Sequence, residues 1–172
     1  MFEVVFGASG SGKSEYAENL ACALAGENER KYYIAAMMPY GSEGRKRVAR
    51  HRELRRGKGF TTIEQQLNIS QVLGKIENPH NSTLLIECMS NLVANEMFDE
   101  AGHSEKIFDE CKTIIKKCSN IVVVTNDVFS DGCSYNDETR AYIECLADIN
   151  RQLFNAADHV TEVVYSVPVK WK

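Results

Sequence analysis

The sequence predicts an α/β domain with a mostly parallel sheet, the fold class of the P-loop NTPases, and three observations support it. Segments typical of strands alternate with segments typical of helices along all 172 residues, a length that predicts one domain, 1–172. The segments 83–86 and 121–125 are continuous apolar runs, as expected for parallel strands covered on both faces. A glycine-rich segment, residues 7–14, lies between the first predicted strand and the first predicted helix.

The strands are predicted from short runs of β-branched, aromatic and other apolar residues that are bounded by turn residues. In chain order these runs are 2–6, 31–36, 60–64, 83–86, 121–125, 159–166 and 167–171. The fourth run ends at Glu87, where an acidic residue follows Thr-Leu-Leu-Ile directly. The last two runs adjoin each other and predict a hairpin at one edge of the sheet.

The helices are predicted from apolar residues at helical spacing, with capping or breaking residues near their ends. In chain order they are 15–25, 42–56, 69–76, 91–98, 104–118 and 138–157. Gly26 is the predicted terminator of the first helix, and Ser42 is the predicted N-cap of the second. Loops are predicted between them at 37–41, 78–81 and 129–137. The last helix is amphipathic, and its predicted core stripe is Tyr142, Cys145, Leu146, Ile149 and Leu153.

The glycine-rich segment has the sequence Gly-Ala-Ser-Gly-Ser-Gly-Lys-Ser and fits the pattern G-x-x-x-x-G-K-[ST] at every fixed position. Glycines allow backbone N–H groups to approach phosphate oxygens, and the helix that follows adds free N–H donors. Lys13 is the predicted catalytic cation on the β- and γ-phosphates, and the Ser14 hydroxyl is a predicted Mg²⁺ ligand. The sequence therefore predicts that a nucleoside triphosphate binds at Gly7, Ala8, Ser9, Gly10, Ser11, Gly12, Lys13 and Ser14.

Composition narrows the function classes further. The net charge of −4 argues against a protein that coats nucleic acid, and no apolar run approaches the length of a membrane span. The first predicted strand begins at residue 2, which leaves no room for a signal peptide, so we expect a cytoplasmic protein. The six cysteines form no C-x-x-C pair, so we expect reduced, mostly buried thiols and no zinc site.

Acidic residues follow two of the apolar strands, at the edge of the sheet where ligands of open parallel sheets bind. Glu87 ends the fourth strand, and Asp127 comes shortly after the fifth. Either carboxylate is a candidate Mg²⁺ partner, and either is also explained as a helix cap or a loop residue. The sequence alone leaves this choice open.

The segment 45–58 carries eight basic residues against a single acid, Glu53, and His51 lies in its middle. Neighbouring cations disfavour a protonated imidazole, so His51 is predicted to be neutral and nucleophilic. Its attack on an α-phosphorus would give a covalent nucleotidyl-histidine while the arginines stabilise the leaving pyrophosphate. The alternative is a solvated basic helix face with an incidental histidine. His80, His103 and His159 have no comparable surroundings, and we assign them no role.

The ordered combination of these motifs resembles the bifunctional adenosylcobinamide kinase / adenosylcobinamide-phosphate guanylyltransferase family of cobalamin assembly. The resemblance covers nearly the whole chain, and the pairing of His51 with Glu87-Cys88 makes it far more specific than the loop alone. The segments that carry it are 7–14, 33–35, Glu43, Arg47, His51-Arg52, Arg55, 84–92, 95–98, 123–128, Arg140 and 148–153.

This resemblance implies a RecA-like fold, a homotrimer and two reactions. ATP or GTP phosphorylates adenosylcobinamide; GTP then guanylylates a histidine, whose position His51 occupies, and the GMP passes to adenosylcobinamide phosphate. Mg²⁺ is the expected cofactor, and its expected ligands are Ser14, from the loop motif, and Glu87, from its position at the end of an apolar strand. Beyond the loop, the nucleotide contacts implied by the resemblance are Ala36, Met37, Met38, Arg52, Glu53, Leu54, Arg55, Glu64 and Glu87.

The sequence leaves two alternative functions open. A plain P-loop small-molecule kinase would retain only phosphoryl transfer, with His51 as a bystander. A nucleotide-switched binding protein would instead dock nucleic acid or a partner on the basic face of 45–58, and its binding would weaken with salt.

Overall fold

A computed structural model describes residues 1–38, 41–129 and 132–172, with the side chains of Glu43 and Arg47 left out of the description. Within these ranges the chain forms one seven-stranded sheet with the order β3-β2-β4-β5-β1-β6-β7. All neighbouring strands are parallel except β6 and β7, which form an antiparallel hairpin at one edge. The strands are β1 Phe2–Phe6, β2 Arg30–Ala35, β3 Phe60–Glu64, β4 Ser82–Glu87, β5 Asn120–Val124, β6 His159–Val164 and β7 Val167–Lys170.

Helices cover both faces of this sheet, so β4 is buried along its whole length, as its continuous apolar run predicts. One face packs against the first helix through a small cluster that includes Val5, Ala17 and Val124. The other face carries the larger core, to which Leu84, Ile114 and Leu153 contribute. The α-helices are α1 Lys13–Leu24, α2 Gly41–Leu54, α3 Met89–Phe98, α4 Ile107–Ile115 and α5 Asp137–Ala156.

The predicted elements are present, and three predicted segments differ from their prediction in the type of secondary structure they contain. The segment 69–76 is a 3₁₀ helix, Ile69–Lys75, rather than an α-helix, and its buried residues Ile69 and Val72 have the three-residue spacing that a 3₁₀ helix places on one side. The predicted helix 104–118 begins with a 3₁₀ turn, Ser104–Lys106, before α4. The predicted loop 78–81 contains a 3₁₀ turn, Pro79–Asn81.

The prediction of Ser42 as an N-cap is wrong, because α2 already begins at Gly41, whose φ of 63° suits glycine. The same helix ends at Leu54, two residues before its predicted end, and Gly57 and Gly59 turn the chain at positive φ into β3. By contrast, α5 is close to its prediction and is capped by Asn136, whose side chain accepts a hydrogen bond from the backbone N–H of Thr139.

The predicted loops 37–41 and 129–137 each include residues outside the described ranges, at 39–40 and 130–131. In the described part of the chain, no helix combines the length and the apolar character needed to cross a membrane.

Candidate active site at the carboxyl edge of the sheet

The glycine loop connects β1 to α1 and is shaped by three glycines at positive φ. Gly7, Gly10 and Gly12 have φ values of 153°, 76° and 92°. A Cβ on Gly7 would lie 2.5 Å from the backbone oxygen of Val163, and one on Gly12 would lie 2.6 Å from Oγ of Ser166. Both positions therefore require glycine for space as well as for backbone conformation.

The loop rests against the tip of the C-terminal hairpin. The backbone N–H of Ser166 donates a hydrogen bond of 2.7 Å to the backbone oxygen of Ser11. Tyr165 and Ser166 form the tip, with φ values of 47° and 64°. Two adjacent residues at positive φ are typical of the tight turn that suits the twist of a hairpin.

Lys13 is the first residue of α1, and its side chain is buried against the loop. Its Nζ donates a hydrogen bond of 2.9 Å to the backbone oxygen of Ala8. Burial lowers the pKa of this ammonium, and interaction with the neighbouring Cys88 and Glu87 partly opposes that shift. The side chain is thus held over the loop, where an incoming phosphate would supply the opposite charge.

Ser14 and Glu87 meet across the sheet edge. The Ser14 hydroxyl donates a hydrogen bond of 2.6 Å to Oε1 of Glu87, which ends β4. Burial raises the pKa of Glu87 to about 7, although the Ser14 hydrogen bond and the Lys13 charge act in the opposite direction. The second carboxylate oxygen, Oε2, is buried and accepts no hydrogen bond from any residue that the structure describes.

This pair fits a divalent cation. A hydroxyl and a carboxylate are the oxygen ligands that Mg²⁺ prefers, and P-loop enzymes complete its shell with phosphate and water. In the described ranges, no three His, Cys, Asp or Glu side chains are grouped closely enough to hold a metal ion by themselves. A cation at this position would therefore depend on the nucleotide for further ligands. Asp127 lies elsewhere: its Oδ1 accepts a hydrogen bond of 3.1 Å from the backbone N–H of Phe129.

His51 lies on α2 and faces the same carboxylate. Its Nδ1 is 3.9 Å from Oε1 of Glu87, and its side chain is 19% exposed. A cavity of about 180 Å³ joins the histidine to the glycine loop. The residues that line it are Ser9, Gly10, Ser11, Gly12, Lys13, Ser14, Glu15, Met37, Arg50, His51, Leu54, Glu87, Cys88, Asn91 and Asn126.

A second, smaller cavity of about 80 Å³ adjoins the first and shares Met37, His51 and Glu87 with it. The guanidinium carbon of Arg55 lies 4.1 Å from the centre of the Tyr33 ring, which places a cation over an aromatic face. The Nη2 of Arg52 is 3.4 Å from Oε1 of Glu64 at the mouth of the cavity. The other residues that line it are Ala35, Val48, Thr62 and Gln66.

Five of the predicted nucleotide contacts line neither of these cavities: Gly7, Ala8, Ala36, Met38 and Glu53. Ala36 is fully buried, and its backbone oxygen accepts a hydrogen bond of 2.8 Å from Asn95. Glu53 faces outward and pairs with Arg56 at 3.3 Å. Met38 follows Met37 at the end of β2 but does not reach the walls of either cavity.

Sequence reasoning missed a polar group at the site and a buried group outside the two cavities. Asn126 donates a hydrogen bond of 2.7 Å to Oγ of Ser90, and Asn91 donates one of 3.2 Å to Sγ of Cys88, which forms a polar wall at the ends of β4 and β5. The rule that ligands bind at strand ends pointed to these positions.

The second group is a fully buried carboxylate, Glu18, paired with Lys58 at 2.8 Å. This pair connects α1 to the turn that follows α2. No motif marks it, because the burial of Glu18 depends on how the two elements pack.

Comparison with known proteins identifies relatives. Residues 3–171 match the family model described as CobU: Cobinamide kinase / cobinamide phosphate guanyltransferase. The "Bifunctional adenosylcobalamin biosynthesis protein CobU" of Escherichia coli (strain K12) is 29% identical over 187 aligned residues, which cover all of both chains.

Two solved structures of ATPases show the fold alone. One, an isolated ATPase domain, is similar with a TM-score of 0.51 and 10% identity, over 94% of this chain and 68% of that one. The other, a prototypical ATPase from the type III secretion system of pathogenic bacteria, is similar with a TM-score of 0.56 and 9% identity, over 94% of this chain and 50% of that one. The prediction of a P-loop fold with a mostly parallel sheet is confirmed, and the family resemblance is confirmed as well. The chain belongs to the cobinamide kinase / cobinamide phosphate guanyltransferase family of cobalamin biosynthesis enzymes.

Proposed function

We propose that the protein catalyses two consecutive reactions on one corrinoid. In the first, ATP or GTP phosphorylates the aminopropanol hydroxyl of adenosylcobinamide. In the second, GMP passes from GTP through His51 to adenosylcobinamide phosphate and gives adenosylcobinamide-GDP and pyrophosphate. The observation that supports this proposal most directly is that Lys13, Ser14, Glu87 and His51 line one cavity.

The first reaction requires positioning and charge rather than covalent chemistry. The loop N–H groups and Lys13 bind the β- and γ-phosphates and position them for attack by the acceptor hydroxyl. As its oxygen bonds to the γ-phosphorus, the bond from that phosphorus to the bridging oxygen breaks, the nucleoside diphosphate leaves, and the hydroxyl proton passes to solvent. Mg²⁺, bound by Ser14 and Glu87, would neutralise phosphate charge. Oε2 of Glu87 accepts no hydrogen bond from the described residues, which supports this assignment over Asp127, whose Oδ1 accepts a hydrogen bond from the loop backbone.

In the second reaction the imidazole acts as a nucleophile. Nδ1 of His51 lies toward Glu87, and we assign the attack on the α-phosphorus of GTP to Nε2. A P–N bond forms as the P–O bond to pyrophosphate breaks, and Glu87 is placed to stabilise the proton on Nδ1. A phosphate oxygen of adenosylcobinamide phosphate then attacks the same phosphorus, which breaks the P–N bond and restores neutral His51. Arg50, in the wall of the cavity, would stabilise the departing pyrophosphate.

The smaller cavity suits the guanine base. Tyr33 and Arg55 offer a flat aromatic and cationic surface, and the Glu64 carboxylate at its mouth can accept hydrogen bonds from the N1–H and the 2-amino group of guanine. Adenine has no donor at either position, so this cavity favours GTP in the guanylyl transfer. Arg52 and Leu54 complete the nucleotide contacts that we propose, and Ala36, Met38 and Glu53 would contact the nucleotide only after α2 moves.

We also propose a cytoplasmic homotrimer that does not bind nucleic acid. Its interface would include the C-terminal hairpin, where Val164, Tyr165, Val167, Val169 and Trp171 are all exposed. All six cysteines are free thiols, which suits a reducing compartment. The net charge of −4 disfavours nucleic acid as a partner.

The proposal is tested with GTP labelled on its α-phosphate. Incubation with Mg²⁺ should leave label on the denatured protein, in an acid-labile and base-stable bond typical of a histidine phosphoramidate. His51→Ala should lose the adduct and still phosphorylate adenosylcobinamide, whereas the matched variant His103→Ala should behave as wild type, because His103 lines neither cavity. If the wild type showed kinase activity but formed no adduct, the result would favour the plain P-loop small-molecule kinase. If it showed neither activity but bound polynucleotides in a salt-sensitive way, the result would favour the nucleotide-switched binding protein.

A further inference from the structure

A larger cavity lies beside the active site, on the α5 side of the sheet. Its volume is about 390 Å³, and it is formed where β1 and β5 end next to α5. Asn126 lines both this cavity and the cavity that holds the glycine loop and His51. The two spaces therefore meet at one side chain, immediately after β5.

The inner walls of this cavity are aromatic. The rings of Phe6 and Phe154 are in contact, with centroids 5.1 Å apart, and Phe6 also approaches Trp171 at 6.3 Å. Phe129 also lines the cavity and is 43% exposed. Such a set of rings offers flat apolar surface to a ligand, and an exposed phenylalanine in a cavity wall would gain burial when the ligand arrives.

Polar side chains also line this cavity. Asn126, Asp127, Arg151 and Asn155 offer amide, carboxylate and guanidinium groups. A ligand suited to these walls therefore has apolar faces and a periphery of amides. It also needs an arm that can pass Asn126 and reach the phosphate loop.

We propose that this cavity holds one edge of the corrin ring of the acceptor, in both reactions. A corrin ring has apolar faces and carries amide arms around its edge, and its aminopropanol arm ends in the hydroxyl that is phosphorylated. With the ring edge between Phe129 and Phe154, that arm would extend past Asn126 to the γ-phosphate. In the second reaction the same arm would bring its phosphate to the guanylylated His51. This inference rests on the proposed function, because it assumes a corrinoid acceptor.

The first test fills the cavity. Ala147 lies on the exposed face of α5 and lines the cavity, whereas Ala141 is exposed on the same helix and does not. Ala147→Trp should weaken the binding of cobinamide, followed by its visible absorbance in equilibrium dialysis, by about tenfold or more, a change equivalent to about 1.4 kcal/mol. Ala141→Trp should bind as wild type. Both variants should form the guanylyl-enzyme from labelled GTP as the wild type does, because that half-reaction uses no corrinoid.

The second test removes an aromatic wall. Phe129→Ala should raise the KM for cobinamide, and for cobinamide phosphate, by about 5- to 20-fold without changing the KM for the nucleotide. Phe98→Ala is the matched control, because Phe98 is 54% exposed and lies outside this cavity.

Several outcomes would overturn the inference. Equal cobinamide affinity in Ala147→Trp and Ala141→Trp, or equal KM values in Phe129→Ala and Phe98→Ala, would show that the ring binds elsewhere. A change in oligomeric state of Ala147→Trp with unchanged cobinamide affinity would assign this surface to a second copy of the chain. If the wild type bound no cobinamide, the proposed function itself would fail. If the wild type turned over cobinamide and the Ala147→Trp and Phe129→Ala variants did so equally well, only the assignment of this cavity would be refuted.

Discussion

The hydroxyl of Ser14 donates a 2.6 Å hydrogen bond to Oε1 of Glu87, and His51 approaches the same oxygen at 3.9 Å. Oε1 of Glu87 thus lies next to both Ser14, which follows the loop lysine, and His51, the proposed nucleophile. The phosphate loop, the end of β4 and the helix α2 converge on this atom. A change at Glu87 is therefore expected to affect both reactions, whereas a change at His51 affects only the second.

Glu87→Gln should weaken the apparent affinity for Mg²⁺ by about 10- to 100-fold, measured as the Mg²⁺ concentration that gives half-maximal kinase activity. The amide oxygen can still accept the Ser14 hydrogen bond, but the negative charge is lost. Glu77→Gln removes an exposed carboxylate and serves as the control, since its partner Arg30 is also largely exposed. An unchanged Mg²⁺ dependence in Glu87→Gln would assign the metal to other ligands.

Glu87 should also make the stability of the nucleotide-free protein depend on pH. Its pKa is raised from 4.5 to about 7 by burial, so between these values the folded protein holds a proton that the unfolded chain releases. The contribution of this group is therefore fully present below pH 4.5 and is lost as the pH rises through about 7, an effect on the order of 3 kcal/mol. Urea unfolding in EDTA at pH 5 and pH 8 measures it. Glu87→Gln has no such proton, and identical pH dependence in both proteins would contradict the prediction.

Lys58→Met should destabilise the fold by roughly 3 kcal/mol, because it leaves the carboxylate of Glu18 buried without its cation. The pair is separated by 2.8 Å, and Glu18 is fully buried. Lys58→Arg should restore most of the stability. Lys112→Met is the control, since its partner Asp109 is largely exposed and such pairs contribute about 1 kcal/mol or less. Chemical denaturation gives all three values.

The same variant should slow guanylylation of His51 more than phosphoryl transfer. Lys58 anchors the turn that follows α2, and α2 carries His51, whereas the glycine loop and Lys13 lie on the other side of this contact. Rates of adduct formation and of cobinamide phosphorylation, measured under conditions where the variant is folded, separate the two effects. Equal losses in both rates would indicate that the pair contributes only to stability.

Gly12→Ala should destabilise the protein by about 1 to 3 kcal/mol and weaken nucleotide binding, because alanine is strained at a φ of 92° and its Cβ would lie 2.6 Å from Oγ of Ser166. The double variant Gly12→Ala/Ser166→Gly removes that clash and should recover part of the loss. Gly74→Ala is the neutral control, because a Cβ at position 74 would have no atom of the described residues within 4 Å. Thermal unfolding with and without GTP is the measurement, and a Gly12→Ala protein as stable as Gly74→Ala would be evidence against this packing.

The parts of the fold with local causes were predictable from the sequence. The apolar runs of β4 and β5, the glycine loop and the amphipathic α5 each follow from neighbouring residues, and the strand order places their ends together. The type of the segment 69–75 was not predictable, because its 3₁₀ form depends on packing of Ile69 and Val72 against the core.

The site was predictable to a similar extent. The motif identified Lys13 and Ser14, and the position of Glu87 at the end of an apolar strand made it a candidate. The choice between Glu87 and Asp127 required the Ser14 contact, which depends on the packing of α1 against β4. The cavity between Tyr33, Arg55 and Glu64 is lined by side chains from four elements, β2, α2, β3 and β4, and no local spacing reveals that.

The hydrogen bond between Ser166 and Ser11 also bears on how the protein is made. β1 lies in the interior of the sheet, between β5 and β6. It is the first strand to be synthesised, and both strands with which it pairs are synthesised more than a hundred residues later. The final support of the phosphate loop comes later still, from the turn between β6 and β7. A nascent chain without that turn would contain every residue of the nucleotide motif but lack the contact that supports the loop. We therefore expect the chain to become able to bind GTP only at the end of its synthesis.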